Sequence, residues 1–157
     1  MKPDLSTNLA GLELANPILP GSGPPGDSLK KLKRLEEAGI GALVTKTISV
    51  EQAVVPRPKL AKEGAFLFNV EKWSEKHYTE WLREILPPLK DRTVPLLVSL
   101  GYTPKDLETL IPLFDPLVDG FELSTHYISS SPTLFLETGR ALIDDARYLC
   151  ACLVVDA

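Results

Sequence analysis

Short apolar runs recur along the chain at residues 18–19, 42–45, 96–100, 120–123 and 149–155. The later ones are too continuously apolar for half-exposed antiparallel strands, so they predict buried parallel strands. Ahead of them, residues 5–9 and 12–14 alternate around Ala10-Gly11 and predict a short hairpin. Helix starts are predicted at Ser28, at Ser74, at Thr103-Pro104 with Asp106, and at Ser131-Pro132. In the second helix Tyr78, Trp81, Leu82, Ile85, Leu86 and Leu89 fall on one apolar stripe, so the tryptophans, Trp73 and Trp81, read as packing and not as a ligand box. Gly39 ends the first helix, Pro87-Pro88 the second, and Pro112 breaks or tightens the third near its end. Strand followed by helix, repeated, predicts one α/β domain over residues 1–157 with a parallel sheet. Residues 48–73, with Pro56, Pro58, Gly64 and the apolar patch Ala65-Phe66-Leu67-Phe68, form the one long connection, and loops of that length are usually functional.

Composition narrows the chemistry. The 157 residues carry 17 Lys plus Arg against 21 Asp plus Glu, a net charge of −4, and 44% hydrophobic residues, which suits a globular domain and excludes disorder. No basic run exceeds Lys30-Lys31, so no nucleic acid or anionic membrane surface is expected as a partner. The first residues lack the apolar run of a secretory signal and no later segment approaches about 18 consecutive apolar residues, so the expected location is cytoplasmic. Cys150 and Cys152 read as buried thiols, too close together to bridge easily. His77 and His126 match no ligand spacing, so no metal site is expected, and His77 is predicted on the exposed side of a surface helix.

In parallel α/β folds ligands bind at the carboxyl ends of the strands. The polar residues that end the apolar runs are Ser22, Lys46, Ser99, and Glu122 with Ser124. Period two puts Val44 with Lys46 on one face, and Glu122 with Ser124 and His126 on one face. Lys46 and Glu122 therefore line one polar pocket, or else form a structural ion pair or simply emerge into solvent where each strand ends. A lysine inside a strand context is costly to bury alone, which favours a pair, an anion or a cofactor beside it. Gly21-Ser22-Gly23-Pro24-Pro25-Gly26 matches the dinucleotide pattern G-x-G-x-x-G. The match is misleading, because Pro24 and Pro25 have no N–H to offer a phosphate and the next strand ends in Lys46 where an acid is expected.

Four local strings occur in the order of one family: Leu12-Glu13-Leu14-Ala15-Asn16-Pro17 leading into Gly21-Ser22-Gly23-Pro24-Pro25, then Thr45-Lys46-Thr47-Ile48-Ser49, Phe68-Asn69-Val70-Glu71, and Phe121-Glu122-Leu123. In these strings, from about Asp4 to about Leu123, the chain resembles the FMN-dependent dihydroorotate dehydrogenases and the pyrimidine-reducing domain of dihydropyrimidine dehydrogenase. The resemblance implies the amino-terminal half of a (β/α)₈ TIM barrel, about four to five β/α units after the hairpin, with FMN at the top of the strands. It implies that Gly21, Ser22, Gly23, Lys46 and Ser99 border the flavin, and that Asn69 and Ser124 meet a pyrimidine-like substrate.

The family's catalytic cysteine position holds Tyr127 here, so the resemblance leaves His126 or Tyr127 as proton donor. The lysine that ends the family's fifth strand has no counterpart in Leu153-Val154-Val155-Asp156-Ala157, and the sequence from Asp144 onward reads as divergent or truncated. The implied activity is flavin-dependent oxidation or reduction of a C–C bond, with a homo-oligomer or a second chain completing the barrel. The alternatives are a catalytically silent half-barrel that serves assembly or regulation, and a flavodoxin-like doubly wound sheet.

Overall fold

The computed structural model describes residues 3–124 and 148–149. The predicted hairpin forms from β1 (Thr7–Leu9) and β2 (Leu12–Leu14), antiparallel, with Thr7 opposite Leu14. Ala10 and Gly11 both take positive φ, 48° and 84°, the backbone twist that a two-residue hairpin turn requires. Residues 18–19, expected as a strand, are not one. Ile18 is 63% exposed, and the segment is tied down by the Gly41 N–H donating to the Ile18 carbonyl at 2.8 Å. Pro17 and Pro20 flank this two-residue run and leave too few N–H donors for a ladder.

Helix α1 (Leu29–Glu37) starts after Ser28, whose extended backbone carbonyl accepts from Lys31 and Leu32. The chain leaves it through Gly39 at φ +76°, as its position predicts. Strand β3 (Leu43–Val44) follows, shorter than predicted. The long connection is not structureless: it contains β4 (Leu60–Glu63) and β5 (Phe66–Asn69), an antiparallel hairpin turning at Gly64, φ +59°. Its apolar residues mislead a sequence reading because they stay exposed instead of facing a core.

Helix α2 (Tyr78–Glu80) runs on as a π-helical turn (Trp81–Ile85) and a 3₁₀ turn (Pro87–Leu89). It does not start at Ser74. His77 is the N-cap, its Nδ1 accepting from the Thr79 N–H at 3.3 Å, while the Ser74 hydroxyl accepts from the Trp81 indole N–H at 2.9 Å. His77 is accordingly a half-buried cap with its ring against Tyr78, not an exposed helix residue.

Strand β6 (Leu96–Leu100) leads into α3 (Pro104–Phe114), then β7 (Gly120–Leu123), all with the predicted starts. Thr103 and Asp106 close a reciprocal capping box at the α3 start. Pro112 lies inside the helix near its end: α3 runs on to Phe114 and then tightens into a 3₁₀ turn (Asp115–Leu117). A last short strand, β8 (Tyr148–Leu149), is the described part of the predicted run at 149–155. The helix predicted from Ser131-Pro132, and Cys150 and Cys152, lie outside the described residues.

The sheet has the order β3-β6-β7-β8, every neighbouring pair parallel. Each crossover adds the next strand on the same side. A flavodoxin-like sheet needs a reversal of that order, and among the described strands there is none. Leu96, Val98, Leu100, Phe121 and Leu123 present one face to Leu32, Trp81, Ile85, Leu107, Leu110 and Phe114 of the helices. Each such side chain contributes about 1.5–3 kcal/mol by leaving water. The register pairs Ser99 with Glu122, two residues of the opposite face, near the carboxyl ends of β6 and β7. Among the described residues no helix is long and apolar enough to cross a membrane.

Candidate functional site

The residue after β3 enters a run, Thr45 to Ser49, that is buried although almost every member is polar. Hydrogen bonds account for it. The Lys46 N–H donates to the Gly26 carbonyl at 2.9 Å, and the Thr47 N–H to the Ser22 carbonyl at 3.3 Å, which seats the Gly21, Ser22, Gly23 loop on the end of β3. A Cβ on Gly26 would fall 2.1 Å from the Val44 carbonyl oxygen, so only glycine permits this approach. The Thr47 and Ser99 hydroxyls are 3.0 Å apart, and the Ser99 N–H donates to Thr45 Oγ1 at 3.1 Å. The Ser124 N–H donates to the Leu100 carbonyl at 2.7 Å, and a Cβ on Gly101 would meet the Ser124 carbonyl at 3.2 Å and the Thr47 methyl at 3.3 Å. Ser22, Lys46, Ser99 and Ser124 thus share the carboxyl edge of the parallel sheet.

Lys46 is 4% exposed, and its ammonium pairs with the Glu71 carboxylate. Glu122 is not its partner, so of the readings open for Lys46 and Glu122 the structural ion pair is not the one that forms. The reason is tertiary: the chain after β5 folds back over the end of β3 and delivers Glu71 there. The pairing continues outward, from Glu71 to Lys59 at 2.9 Å, from Lys59 to Glu75, and from Glu75 to Arg57 at 2.9 Å. Asp27, Lys46, Lys59, Glu75 and Lys76 line a polar cavity of about 150 Å³.

Asn69 is exposed at the end of β5 and does not line that cavity; its Oδ1 accepts the Glu71 N–H at 2.9 Å. Lys46 and Asn69 are therefore bridged by Glu71, not set side by side. Glu71 and Lys59 were not among the predicted site residues. The signal for Glu71 was its place in the string Phe68-Asn69-Val70-Glu71, whereas nothing local distinguishes Lys59 from a surface lysine.

A second cavity, about 410 Å³, lies between the chain after β3 and the start of α3, with Trp73, Tyr102 and Asp106 in its wall. Trp73, unlike Trp81, is not a core residue: its indole N–H donates to the Glu51 carbonyl at 2.7 Å and its ring meets Tyr102 edge-on at 5.3 Å. Burial alone would raise the Asp106 carboxyl, but hydrogen bonds from Thr103, Val50, Tyr102 and Ser49 outweigh it and hold the group below its usual range. His126 and Tyr127, the predicted proton donors, lie outside the described residues.

The sequential parallel sheet gathers a lysine, glycines and hydroxyls at its carboxyl edge, the edge at which parallel α/β folds take their ligands. The chain is 35% identical over 102 residues to the catalytic subunit of dihydroorotate dehydrogenase B (NAD(+)) from Desulforudis audaxviator, covering 64% of this chain and 33% of that protein. It is 31% identical over 128 residues to the corresponding subunit of Pelobacter propionicus, covering 79% of this chain and 42% of that one. Over 68 residues it is 43% identical to the chloroplastic dihydropyrimidine dehydrogenase (NADP(+)) of Arabidopsis thaliana, covering 41% of this chain and 16% of that protein. No family model matches the chain. These homologues place it in the dihydroorotate dehydrogenase and dihydropyrimidine dehydrogenase-like family. The chain spans a third to about two fifths of the length of the dihydroorotate dehydrogenase relatives, 33% and 42% in the two cases above.

Proposed function

We propose that the chain forms part of an FMN-dependent oxidoreductase acting on a C–C bond of a pyrimidine-like substrate, its parallel strands being consecutive strands of a (β/α)₈ barrel. The observation that carries the reading is Lys46, a buried cation at the carboxyl end of β3, beside a glycine loop hydrogen-bonded to the same strand end. The residues fit the ring of a flavin on two counts. A Cβ on Gly21 would meet nothing within 4 Å and one on Gly23 only the Pro25 ring, so this backbone borders open space that a flat group can approach. Lys46 supplies charged N–H donors for oxygens at the ring edge. When bound, the flavin would supply hydride transfer through its N5.

In this reading Lys46 holds the ring edge and offsets negative charge there, and Ser99, tied to Thr47, keeps the strand ends in register beneath it. Asn69 and Ser124 orient the substrate, and His126 or Tyr127 handles the proton. The same reading gives a cytoplasmic enzyme, with a homo-oligomer or a second chain as partner.

The test is a titration of the purified chain with FMN, followed by flavin fluorescence, for the unaltered protein and Lys46→Ala. Measurable binding that weakens at least tenfold in the variant is expected. Equal affinities would remove the role of Lys46, and a chain that binds no flavin would point to the catalytically silent assembly subunit.

A further inference from the structure

The Lys46 ammonium is buried, and among the described residues its ion-pair partner is Glu71. Two carboxylates line the polar cavity that Lys46 borders, Asp27 and Glu75, and each is paired with another cation. Asp27 is held by Lys31 at 2.6 Å, and Glu75 by Lys59 and by Arg57 at 2.9 Å. Glu71 is itself fixed twice over. Its backbone N–H is taken by Asn69 Oδ1 at 2.9 Å, and its second carboxylate oxygen is taken by Lys59 at 2.9 Å.

A lysine side chain is a flexible stem with a point charge, so its ammonium sits only where a partner holds it. One carboxylate oxygen on Lys46 and the other on Lys59 is an arrangement that survives a ligand's arrival. If an oxygen-bearing ring edge draws on the Lys46 ammonium, Glu71 stays paired through Lys59 and is not left as a buried unpaired charge.

We infer that Glu71 is the positioning residue for Lys46: it holds the ammonium at the carboxyl end of β3 with the remaining N–H donors for the oxygen-bearing edge of a flavin, and Lys59 is the counter-ion that lets it do so. The inference rests on the flavin reading above for its ligand, but the positioning of Lys46 is a property of the unliganded chain.

Two measurements separate these parts. In the unliganded chain, a buried and paired ammonium exchanges its protons slowly enough to give a resolved Lys46 Nζ resonance in ¹⁵N NMR. Glu71→Gln, nearly isosteric and uncharged, is expected to broaden that resonance away, while Glu71→Asp retains it in part. In the FMN titration, Glu71→Gln is expected to weaken binding about tenfold, with Glu71→Asp recovering much of the loss. Glu80→Gln, which breaks the surface pair of Lys76 and Glu80, serves as the control and leaves both readouts unchanged. A Lys46 resonance as sharp in Glu71→Gln as in the unaltered chain overturns the positioning role, whatever the flavin does. A resonance lost in Glu71→Gln together with Lys46→Ala binding FMN as tightly as the unaltered chain overturns the flavin reading instead, and with it the ligand assigned to this pair.

Discussion

Ser49 donates its hydroxyl hydrogen to Asp106 Oδ1 at 2.9 Å across 57 residues of sequence, joining the chain that leaves β3 to the first turn of α3. The same oxygen accepts from the Val50 N–H at 2.9 Å, and Oδ2 takes the Tyr102 and Thr103 N–H groups at 3.1 and 2.9 Å and the Thr103 hydroxyl at 2.6 Å. One carboxylate thus caps a helix and clamps two strand-end loops. Asp106→Ala leaves these donors buried without an acceptor and is expected to cost roughly 3 kcal/mol. A urea melt of the variant against the unaltered chain measures it, and a loss below about 1 kcal/mol would mean the clamp is dispensable.

The same carboxyl sets an acid dependence. Its folded-state pKa is lowered, so its contribution is fully present above the unfolded value of about 3.9 and is lost as pH falls through the folded one. The unaltered chain should lose stability below about pH 4 more steeply than Asp106→Asn. Parallel slopes in thermal melts from pH 5 to pH 3 would contradict this.

Two glycines of one loop should behave oppositely. Gly26→Ala drives a methyl to 2.1 Å from the Val44 carbonyl, where backbone must move, and is expected to destabilise by about 2 kcal/mol or more. Gly21→Ala meets nothing within 4 Å and should leave stability within about 0.5 kcal/mol while weakening FMN binding. Chemical denaturation paired with the flavin titration checks both, and a Gly21→Ala chain that binds FMN normally would separate this loop from the ligand.

The β4–β5 hairpin leaves Phe66, Leu67 and Phe68 at 70%, 71% and 50% exposure, and an exposed apolar surface of this kind is expected to drive self-association. The double variant Phe66→Ser, Phe68→Ser should sediment as a smaller species at the same concentration, with a melting temperature within a few degrees of the unaltered chain. A large drop in melting temperature would show that the hairpin supports the core.

How far the sequence could be read depended on how local each signal was. Thr103-Pro104 with Asp106 is complete within four residues, so the α3 start was legible, as were Leu96–Leu100 and Gly120–Leu123, short runs that are apolar except for Ser99 and Glu122. Ser74 looked like a helix start because a cap acceptor preceded a periodic run, but the indole of Trp81 donates to its hydroxyl and the cap passes to His77. The run at 18–19 was apolar without being a strand, since no count of apolar residues reveals missing ladder donors at Pro17 and Pro20.

The sequence by itself determined the alternation of strand and helix, the parallel sheet, the polar residues at the strand ends, and the family to which those strings belong. Only the tertiary structure decided that Lys46 pairs with Glu71 and not Glu122, that Lys59 joins them, and that Asn69 reaches the lysine through Glu71. The reason is physical. Backbone propensity and hydrophobic period act over a few residues, whereas the partner of a buried charge is chosen by where a distant segment returns, here 25 residues along the chain.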